Sequence, residues 1–353
     1  MIVYASLFII ILLTAFLQVN FNNDKLFSSL FLILIIVLIF YCGLRGNNDE
    51  FSRVFIRYGN INNYLENPFI IYDKSLLTPI ISIILNYTFP FPVILNFFYV
   101  SISLLILFYV FKNLNNYFIV TLLLYYSHFI ISREFSGFRT ALSSSFVLLG
   151  VCFLLKDNNK KKFYINYFIS ILIHYESIIA AYVVFLRKKI KNFYLIIFFI
   201  SSFLISIFIY PYFLQLINEL YFVPEIIKNY LKSQDYGYDL TYTHIKFIQH
   251  LIFLIIFFII RIYFIKYDIK FELLFNIYFF SLLIQIIFNN TAIFAFRFAG
   301  VTSVVEPILI IYFIENYLKY KKSFLNLIII FSFIIFYINY FYINKLDNYE
   351  LYF

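Results

Sequence analysis

The sequence predicts an all-α, polytopic integral membrane protein, and three observations support this fold class. Hydrophobic residues make up 63% of the 353-residue chain and charged residues 13%, against about 45–50% and about 25% in soluble globular domains. Mean hydropathy is +0.90. Apolar stretches of about 18 or more residues, long enough to cross a bilayer core, recur along the whole chain. These observations exclude a soluble enzyme, a disordered chain and a single-span receptor.

About twelve apolar segments, separated by polar breaks, are predicted to be transmembrane or re-entrant helices. They are approximately 2–19, 26–43, 75–89, 91–111, 117–133, 138–155, 163–186, 192–210, 247–266, 272–289, 298–317 and 324–344. Ten-residue strands of alternating hydrophobicity are absent, so the pattern favours helices over a barrel. Segment 75–89 is short and contains Pro79, which is typical of a re-entrant helix. No repeat or linker marks a second domain, so residues 1–353 are predicted to form a single transmembrane domain.

Short basic loops predict the orientation. They are Lys156–Lys162, Arg187–Lys191 and Lys319–Lys322. The positive-inside rule places such loops in the cytoplasm and accounts for the net charge of +9 without a nucleic-acid partner. One crossing, 163–186, cannot join two cytoplasmic loops, so either one loop is on the other side or the segment doubles back near Ile173–Glu176; we favour the second alternative. Two long loops, 44–74 and 211–246, are then periplasmic, the first if segment 75–89 is re-entrant.

Charged residues within apolar segments are costly and by default indicate a functional cavity. The richest window runs from Ser132 to Ser145 and holds Arg133 and Arg139 on either side of Gly137. Guanidinium groups suit phosphate, because their planar fork donates paired hydrogen bonds and stays protonated. The alternative is an interfacial loop whose arginines extend to lipid headgroups.

A second polar window lies within segment 163–186. A helix would place four of its side chains on one face: Tyr167, Ser170, His174 and Ser177. His174 titrates near neutral pH and could transfer a proton, and a carboxylate such as Glu176 could orient it. Glu176 would lie on the opposite face unless the helix breaks there. The alternative for His174 is a packing role.

Three further charged residues are candidates. Arg45 and Asp49 follow the second segment and could hold a sugar or a phosphate, or could begin a solvated loop. Arg297 is a lone cation at the start of an apolar segment, where it could bind an anion or anchor the helix at the interface. The chemistry of these residues leaves both alternatives open.

The sequence gives no indication of a disulfide, a metal site or a nucleotide-binding site. Cys42 and Cys152 lie far apart in apolar segments, which favours buried hydrophobic roles over a disulfide or a metal site. The sequence contains no P-loop, no dinucleotide glycine fingerprint and no His-Glu-x-x-His element. ATP-driven transport and intramembrane metalloproteolysis are therefore disfavoured.

The chain resembles the EpsG-like and Wzy-type polysaccharide polymerases of bacterial envelopes in the order of several motifs along the sequence. The matching elements are Arg45, Gly46 and Asp49, then Phe-Ser-Gly-x-Arg-x-Ala at Phe135–Ala141, a basic loop, and Ile-His-Tyr-x-Ser at Ile173–Ser177. The resemblance covers approximately residues 40–185.

The resemblance implies a glycosyltransferase-C-like enzyme of the bacterial inner membrane, with its active site facing the periplasm. Such an enzyme, an O-antigen polymerase, joins undecaprenyl-diphosphate-linked oligosaccharide repeat units into surface polysaccharide such as that of lipopolysaccharide. Its partners would be that lipid-linked substrate, the bilayer and a chain-length regulator membrane protein. The donor carries its own leaving group, so no cofactor is implied.

The resemblance also implies roles for the candidate residues. Arginines would neutralise charge developing on the diphosphate: Arg139, Arg133, Arg45 and Arg297. A base would deprotonate the attacking sugar hydroxyl: His174, Glu176 or Asp49. If the arginines supply the charge stabilisation, no metal is needed.

Three other functions compete with this one. A flippase or exporter of lipid-linked oligosaccharide would place charges in both halves of the chain and often show internal symmetry, whereas the candidates here cluster between residues 45 and 176. An O-antigen ligase differs only in its acceptor. A membrane acyltransferase would use His174, but the arginines favour a diphosphate substrate.

Overall fold

The computed structural model describes residues 2–21, 23–45, 75–135, 137–219, 242 and 244–343, and these form helices without a β-strand. The α-helices up to residue 173 are α1 (Ile2–Asn20), α2 (Asp24–Gly43), α3 (Leu77–Thr88), α4 (Val93–Leu114), α5 (Phe118–His128), α6 (Phe138–Lys156) and α7 (Lys160–Ile173). Those that follow are α8 (Asn192–Leu204), α9 (Tyr210–Glu219), α10 (Ile245–Tyr263), α11 (Ile269–Ile287), α12 (Ala292–Ser303), α13 (Glu306–Tyr317) and α14 (Lys321–Tyr337). The other helices are the π-helices Ile131–Phe135, Ile205–Ile209 and Ile338–Ile343 and the 3-10 helix Tyr175–Phe185. The all-α prediction is confirmed.

The helices are those of a polytopic membrane protein. Nine helical stretches within the described ranges are long and apolar enough to cross a bilayer, and three shorter apolar helices accompany them. One of the three is α3, whose 12 residues span about 18 Å at 1.5 Å per residue, well short of a core of about 30 Å. The short segment predicted at 75–89 is therefore too short to cross as a straight helix.

The chain divides into two compact units. The first contains Met1–Phe69, Ser75–Tyr175 and Pro307–Phe353, and the second contains Ile70–Lys74 and Glu176–Glu306. Each unit has its own buried core, and both cysteines, Cys42 and Cys152, are buried in the first. The single domain predicted for residues 1–353 stays a prediction.

One end of the first unit carries the lysine loops, and we call it the lysine end. Here Lys156 Nζ donates to Asn113 Oδ1 at 2.6 Å, between α6 and the last turn of α4. Glu315, near the end of α13, accepts the Tyr117 amide at 2.8 Å, just before α5 begins. The loops Lys156–Lys162 and Lys319–Lys322 therefore share one end of this unit.

The opposite end of the first unit is held by a separate set of contacts. Asn96 Nδ2, in the first turns of α4, donates to the carbonyl oxygens of Cys42 and Gly43 at 2.9 and 3.0 Å. Asn339 Nδ2 donates to the Ser127 carbonyl at 3.1 Å, near the end of α5. The chain at this end includes the carboxyl ends of α2, α5 and α7 and the amino end of α6.

Gly43 lies where α2 and α4 approach each other closely. A Cβ there would lie 2.8 Å from Phe97 Cδ2 and 3.0 Å from Phe97 Cα. Because the backbone of α4 would have to move, we expect Gly43→Ala to lower the free energy of unfolding by about 1–3 kcal/mol. Thermal unfolding in detergent measures this, with Ser29→Ala, exposed on the same helix, as the control expected to change little. Equal stability of the two variants would contradict the prediction.

The apolar segment predicted at 163–186 is not one continuous helix, because the helix breaks at His174. Helix α7 ends at Ile173, His174 is extended with φ −153° and ψ 116°, and the 3-10 helix begins at Tyr175. The predicted stripe of Tyr167, Ser170, His174 and Ser177 on one helix face is therefore wrong, because Ser177 belongs to a different helix. The break lies where the sequence predicts a hairpin, and the reversal of the chain stays a prediction.

The long loop predicted at about 211–246 is wrong at its first described end, whereas its second agrees with the structure to within two residues. Helix α9 continues the apolar segment through Glu219, and α10 begins at Ile245. Pro211 does not end the helix, because the π-helix before it widens the turn: the Tyr210 amide bonds to the Ile205 carbonyl, five residues back. Residues 220–241 and 243 of this loop lie outside the described residues, as do 46–74 of the other.

Candidate functional site

Arg45 lies at the end of the first unit opposite the lysine end, two residues after α2. Its Nη1 donates to the Phe135 carbonyl at 3.2 Å, and its guanidinium carbon lies 5.5 Å from the centre of the Phe135 ring. The side chain is buried. Arg45 is thereby joined to the window from Ser132 to Ser145, ninety residues later in the sequence.

The π-helix Ile131–Phe135 holds the second arginine. Arg133 Nη1 donates to the Thr140 carbonyl and to Ser144 Oγ, both at 3.4 Å, so its guanidinium group lies against α6. π-Helices are rare and are frequently found at functional sites. The serine-rich start of α6 thus supplies part of the polar surroundings of Arg133.

Glu134 is a buried residue that is not among the residues predicted from the sequence. Tyr125 Oη donates to its two carboxylate oxygens at 2.9 and 3.1 Å, and Ser103 Oγ donates at 3.2 Å. The side chain is completely buried and joins the π-helix to α4 and α5. The available signal was an acidic residue beside Arg133 at the end of an apolar segment.

Arg139 is the second residue of α6 and is also buried. The N-cap residue of α6 is Gly137, which has no side chain to cap the first-turn amides. A helix amino terminus carries partial positive charge and exposes amide donors, and Arg139 adds a full charge within the same turn. This arrangement favours an anion such as a phosphate. Ser136, within the Phe-Ser-Gly element, lies outside the described residues.

His174 caps the carboxyl end of α7 and is 3% exposed. Its amide donates to the Ser170 carbonyl at 2.9 Å, which is the last helical hydrogen bond before the break. The preceding Ile173 and the Phe138 beside Arg139 pack in one hydrophobic cluster with Tyr99. This cluster brings the start of α6, which carries Arg139, close to the end of α7, where His174 lies.

The second unit contains two of the candidates, and they form an ion pair. Arg297 Nη1, in the second turn of α12, lies 3.3 Å from Glu176 Oε1, at the start of the 3-10 helix. The description of Arg297 as a lone cation is therefore wrong. The pair could not be predicted from the sequence, because 121 residues separate Glu176 from Arg297. The Arg297 side chain is 36% exposed and that of Glu176 is 7% exposed, so the arginine retains an accessible face.

A buried polar network of the second unit was also missed. Tyr278 Oη donates to Glu306 Oε2 at 2.7 Å, and the rings of Tyr278 and His250 lie 4.4 Å apart. The two ring nitrogens of His250 lie within hydrogen-bond distance of Gln285 and Ser281. The intramembrane His250 and the Glu306-Pro307 pair inside an apolar segment were the available signals.

The structure thus brings the sequence-predicted residues together in two groups. In the first unit these are Arg45, Arg133, Arg139 and His174, at the end opposite the lysine loops. In the second unit these are Glu176 and Arg297. Asp49 lies outside the described residues. The first group provides three cations and one titratable imidazole within buried surroundings, which suits the binding of a phosphorylated lipid and the transfer of a proton.

The model of the EpsG family matches residues 75–352 of the chain. No curated protein and no solved structure matches the chain. The family match begins after Arg45, and it extends past residue 185, where the resemblance of the motifs ends, to include the whole of α8–α14. It covers well over half of the sequence. The chain is therefore a polysaccharide-related membrane protein that belongs to the EpsG family.

Proposed function

We propose that the protein is an O-antigen-type polymerase, a glycosyltransferase that joins undecaprenyl-diphosphate-linked oligosaccharide repeat units into surface polysaccharide. The observation that carries this proposal is the set of buried arginines, Arg45, Arg133 and Arg139, at the same end of the first unit as His174. A diphosphate leaving group requires cations that hold its developing charge. The EpsG family membership supports a polysaccharide substrate.

The reaction can be written with these residues. The acceptor sugar hydroxyl attacks the anomeric carbon of the donor, a carbon–oxygen bond forms, and the bond from that carbon to the diphosphate oxygen breaks. The diphosphate leaves with the bonding electrons, and Arg139, Arg133 and Arg45 stabilise its charge. His174 takes the proton of the attacking hydroxyl, and Asp49 is another candidate base. Glu176 and Arg297, in the second unit, stay predictions as a base and a cation. In this mechanism the cations are side chains, so it proceeds without a metal.

The lysine loops support the orientation that this proposal needs. The positive-inside rule places the lysine end of the first unit and the loop Arg187–Lys191 of the second in the cytoplasm. The candidate residues of each unit lie at its other end, which then faces the periplasm of the bacterial inner membrane. The protein would bind lipid-linked repeat units and a chain-length regulator membrane protein on that side.

Deletion of the gene in the native host tests the proposal, with surface polysaccharide separated by chain length on a gel. We expect the ladder to collapse to core plus a single repeat unit, because flipping and ligation still proceed. Loss of every repeat unit from the core would contradict the proposal and indicate a flippase or a ligase instead.

A further inference from the structure

Three buried hydroxyl groups meet at the amino end of α3, and the proposed reaction leaves them unassigned. They belong to Ser75 and Thr78, at the start of the short helix, and to Tyr99 of α4. Tyr99 Oη donates to Thr78 Oγ1 at 2.9 Å. The hydroxyl groups of Thr78 and Ser75 are hydrogen-bonded to each other, and Ser75 Oγ lies 3.4 Å from the carbonyl oxygen of Leu172 in α7.

These contacts form one directed chain of hydrogen bonds. Each hydroxyl group has a single hydrogen to donate. Tyr99 donates to Thr78 and Ser75 donates to the Leu172 carbonyl, so the hydrogen between Thr78 and Ser75 comes from Thr78. Every hydroxyl hydrogen of the chain is thereby used. Because a buried hydroxyl group without a partner is costly, removal of one link also destabilises the positions of its neighbours.

The chain ends at the last turn of α7, directly before the break at His174. The last four carbonyl groups of an α-helix receive no amide hydrogen from within the helix. Here the Leu172 carbonyl accepts the Leu76 amide at 3.0 Å as well as the Ser75 hydroxyl group. The amino end of α3 therefore supplies the donors that the break in the helix denies to Leu172.

Tyr99 connects this chain to the apolar contacts of the candidate site. Its ring packs edge-on against the Phe138 ring, at 5.1 Å between centres, and both residues share a buried cluster with Ile173. Three side chains of α3 pack against the same cluster: Leu77, Ile81 and Leu85. Helix α3 thus contacts the end of α7 twice, through the hydroxyl chain and through the cluster. The residue that follows Ile173 is His174.

We propose that the hydroxyl chain of Tyr99, Thr78 and Ser75 positions His174 for catalysis by fixing the last turn of α7. The inference rests on the proposed function, in which His174 takes the proton of the attacking hydroxyl. A displacement of about 1 Å can slow a reaction about 10²-fold, so a base at the end of a broken helix needs such an anchor. The three residues are positioning residues, and α3, too short to cross the bilayer, acquires a function at this end of the first unit.

Two substitutions of Thr78 test the inference. The assay is the extension of lipid-linked repeat units, extracted from the native host, by the full-length chain in liposomes. We expect Thr78→Val, which keeps the shape but removes the hydroxyl group, to lower kcat about 10–10²-fold with little change in KM. Thr78→Ser, which keeps the hydroxyl group but loses a methyl group, should retain most of the rate. Equal losses in the two variants would overturn the inference, because packing would then determine the rate.

Ser82→Ala is the matched control. Ser82 is as buried as Thr78 and lies one turn further along α3, but its hydroxyl group donates to the Thr78 carbonyl within the helix, at 2.8 Å. This substitution removes a buried hydroxyl group without cutting the chain, so kcat should stay near that of the unsubstituted protein. A loss as large as that of Thr78→Val would overturn the inference.

The same substitution in a His174→Ala background separates the inference from the proposed function. We expect Thr78→Val to cause no further loss there, because a positioning residue acts only through the group that it positions. A further loss of the original size would overturn the inference and leave the polymerase standing, whereas no extension by the unsubstituted chain would contradict both. Tyr99→Phe, which removes the first donor of the chain, provides the same comparison if Thr78→Val does not fold.

Discussion

We expect Arg261→Ala to lower the free energy of unfolding by about 3–5 kcal/mol, because it leaves the buried carboxylate of Glu272 with Lys189 Nζ, 3.9 Å away and partly exposed, as its remaining cation. Arg261 Nε lies 3.1 and 2.9 Å from the two carboxylate oxygens of Glu272, and both side chains are at most 1% exposed. Arg261 also donates to Asn192 Oδ1 and to the Ile190 carbonyl. One guanidinium group thus joins α10, α11 and the start of α8.

Three comparisons distinguish the contribution of the Arg261–Glu272 ion pair to stability from the contribution of packing. Glu272→Ala should cost about as much as Arg261→Ala, since it leaves the guanidinium group buried. The double substitution of Arg261→Met with Glu272→Leu should recover most of the loss, because no charge then remains to be desolvated. The exposed pair Lys162–Asp157 provides the control: Asp157→Asn should change stability by about 1 kcal/mol or less. Thermal unfolding in detergent measures all four, and a loss at Arg261→Ala no larger than at Asp157→Asn would contradict the prediction.

The sequence predicted the fold class and most helix positions, because apolar length alone determines which stretches can cross a bilayer. It failed where helices change type without losing hydrophobicity. In the sequence, Pro211 predicts the end of a helix, yet the helix continues through the π-helix Ile205–Ile209 to Glu219. Conversely, segment 298–317 reads as one helix but is interrupted between Ser303 and Glu306, and α12 begins earlier, at Ala292. Hydropathy does not report backbone hydrogen bonding, so neither change was visible.

The candidate site was predictable as a set of residue types and unpredictable as a set of contacts. Charged groups in apolar segments identified Arg133, Arg139 and His174, because their burial has a high energetic cost wherever it occurs. The partners required tertiary structure. Nothing in the spacing indicated that Arg45 bonds to the Phe135 carbonyl or that Tyr125 holds Glu134.

Arg139→Ala is expected to reduce chain elongation by about 10²–10³-fold, the loss typical of one donor that stabilises transition-state charge. The measurement is the rate at which purified protein in liposomes extends a lipid-linked repeat unit, with the surface polysaccharide ladder of cells as a second readout. Arg139→Lys should restore only part of the rate, because an ammonium group cannot donate the paired hydrogen bonds of a guanidinium fork. Lys161→Ala, which removes an exposed cation at the lysine end, is the control. An unchanged rate in Arg139→Ala at normal protein levels would falsify the assignment.

His174→Ala tests whether the imidazole acts in the same step. A general base contributes about 10²–10⁴-fold, and its loss should remove the fall in rate that protonation of His174 causes at acidic pH. A histidine that only packs at the end of α7 would leave that pH dependence in place. Because Phe138 and Ile173 hold Arg139 and His174 at one cluster, the double variant should be about as slow as the slower single variant. Multiplicative losses would instead show that the two residues act independently of one another.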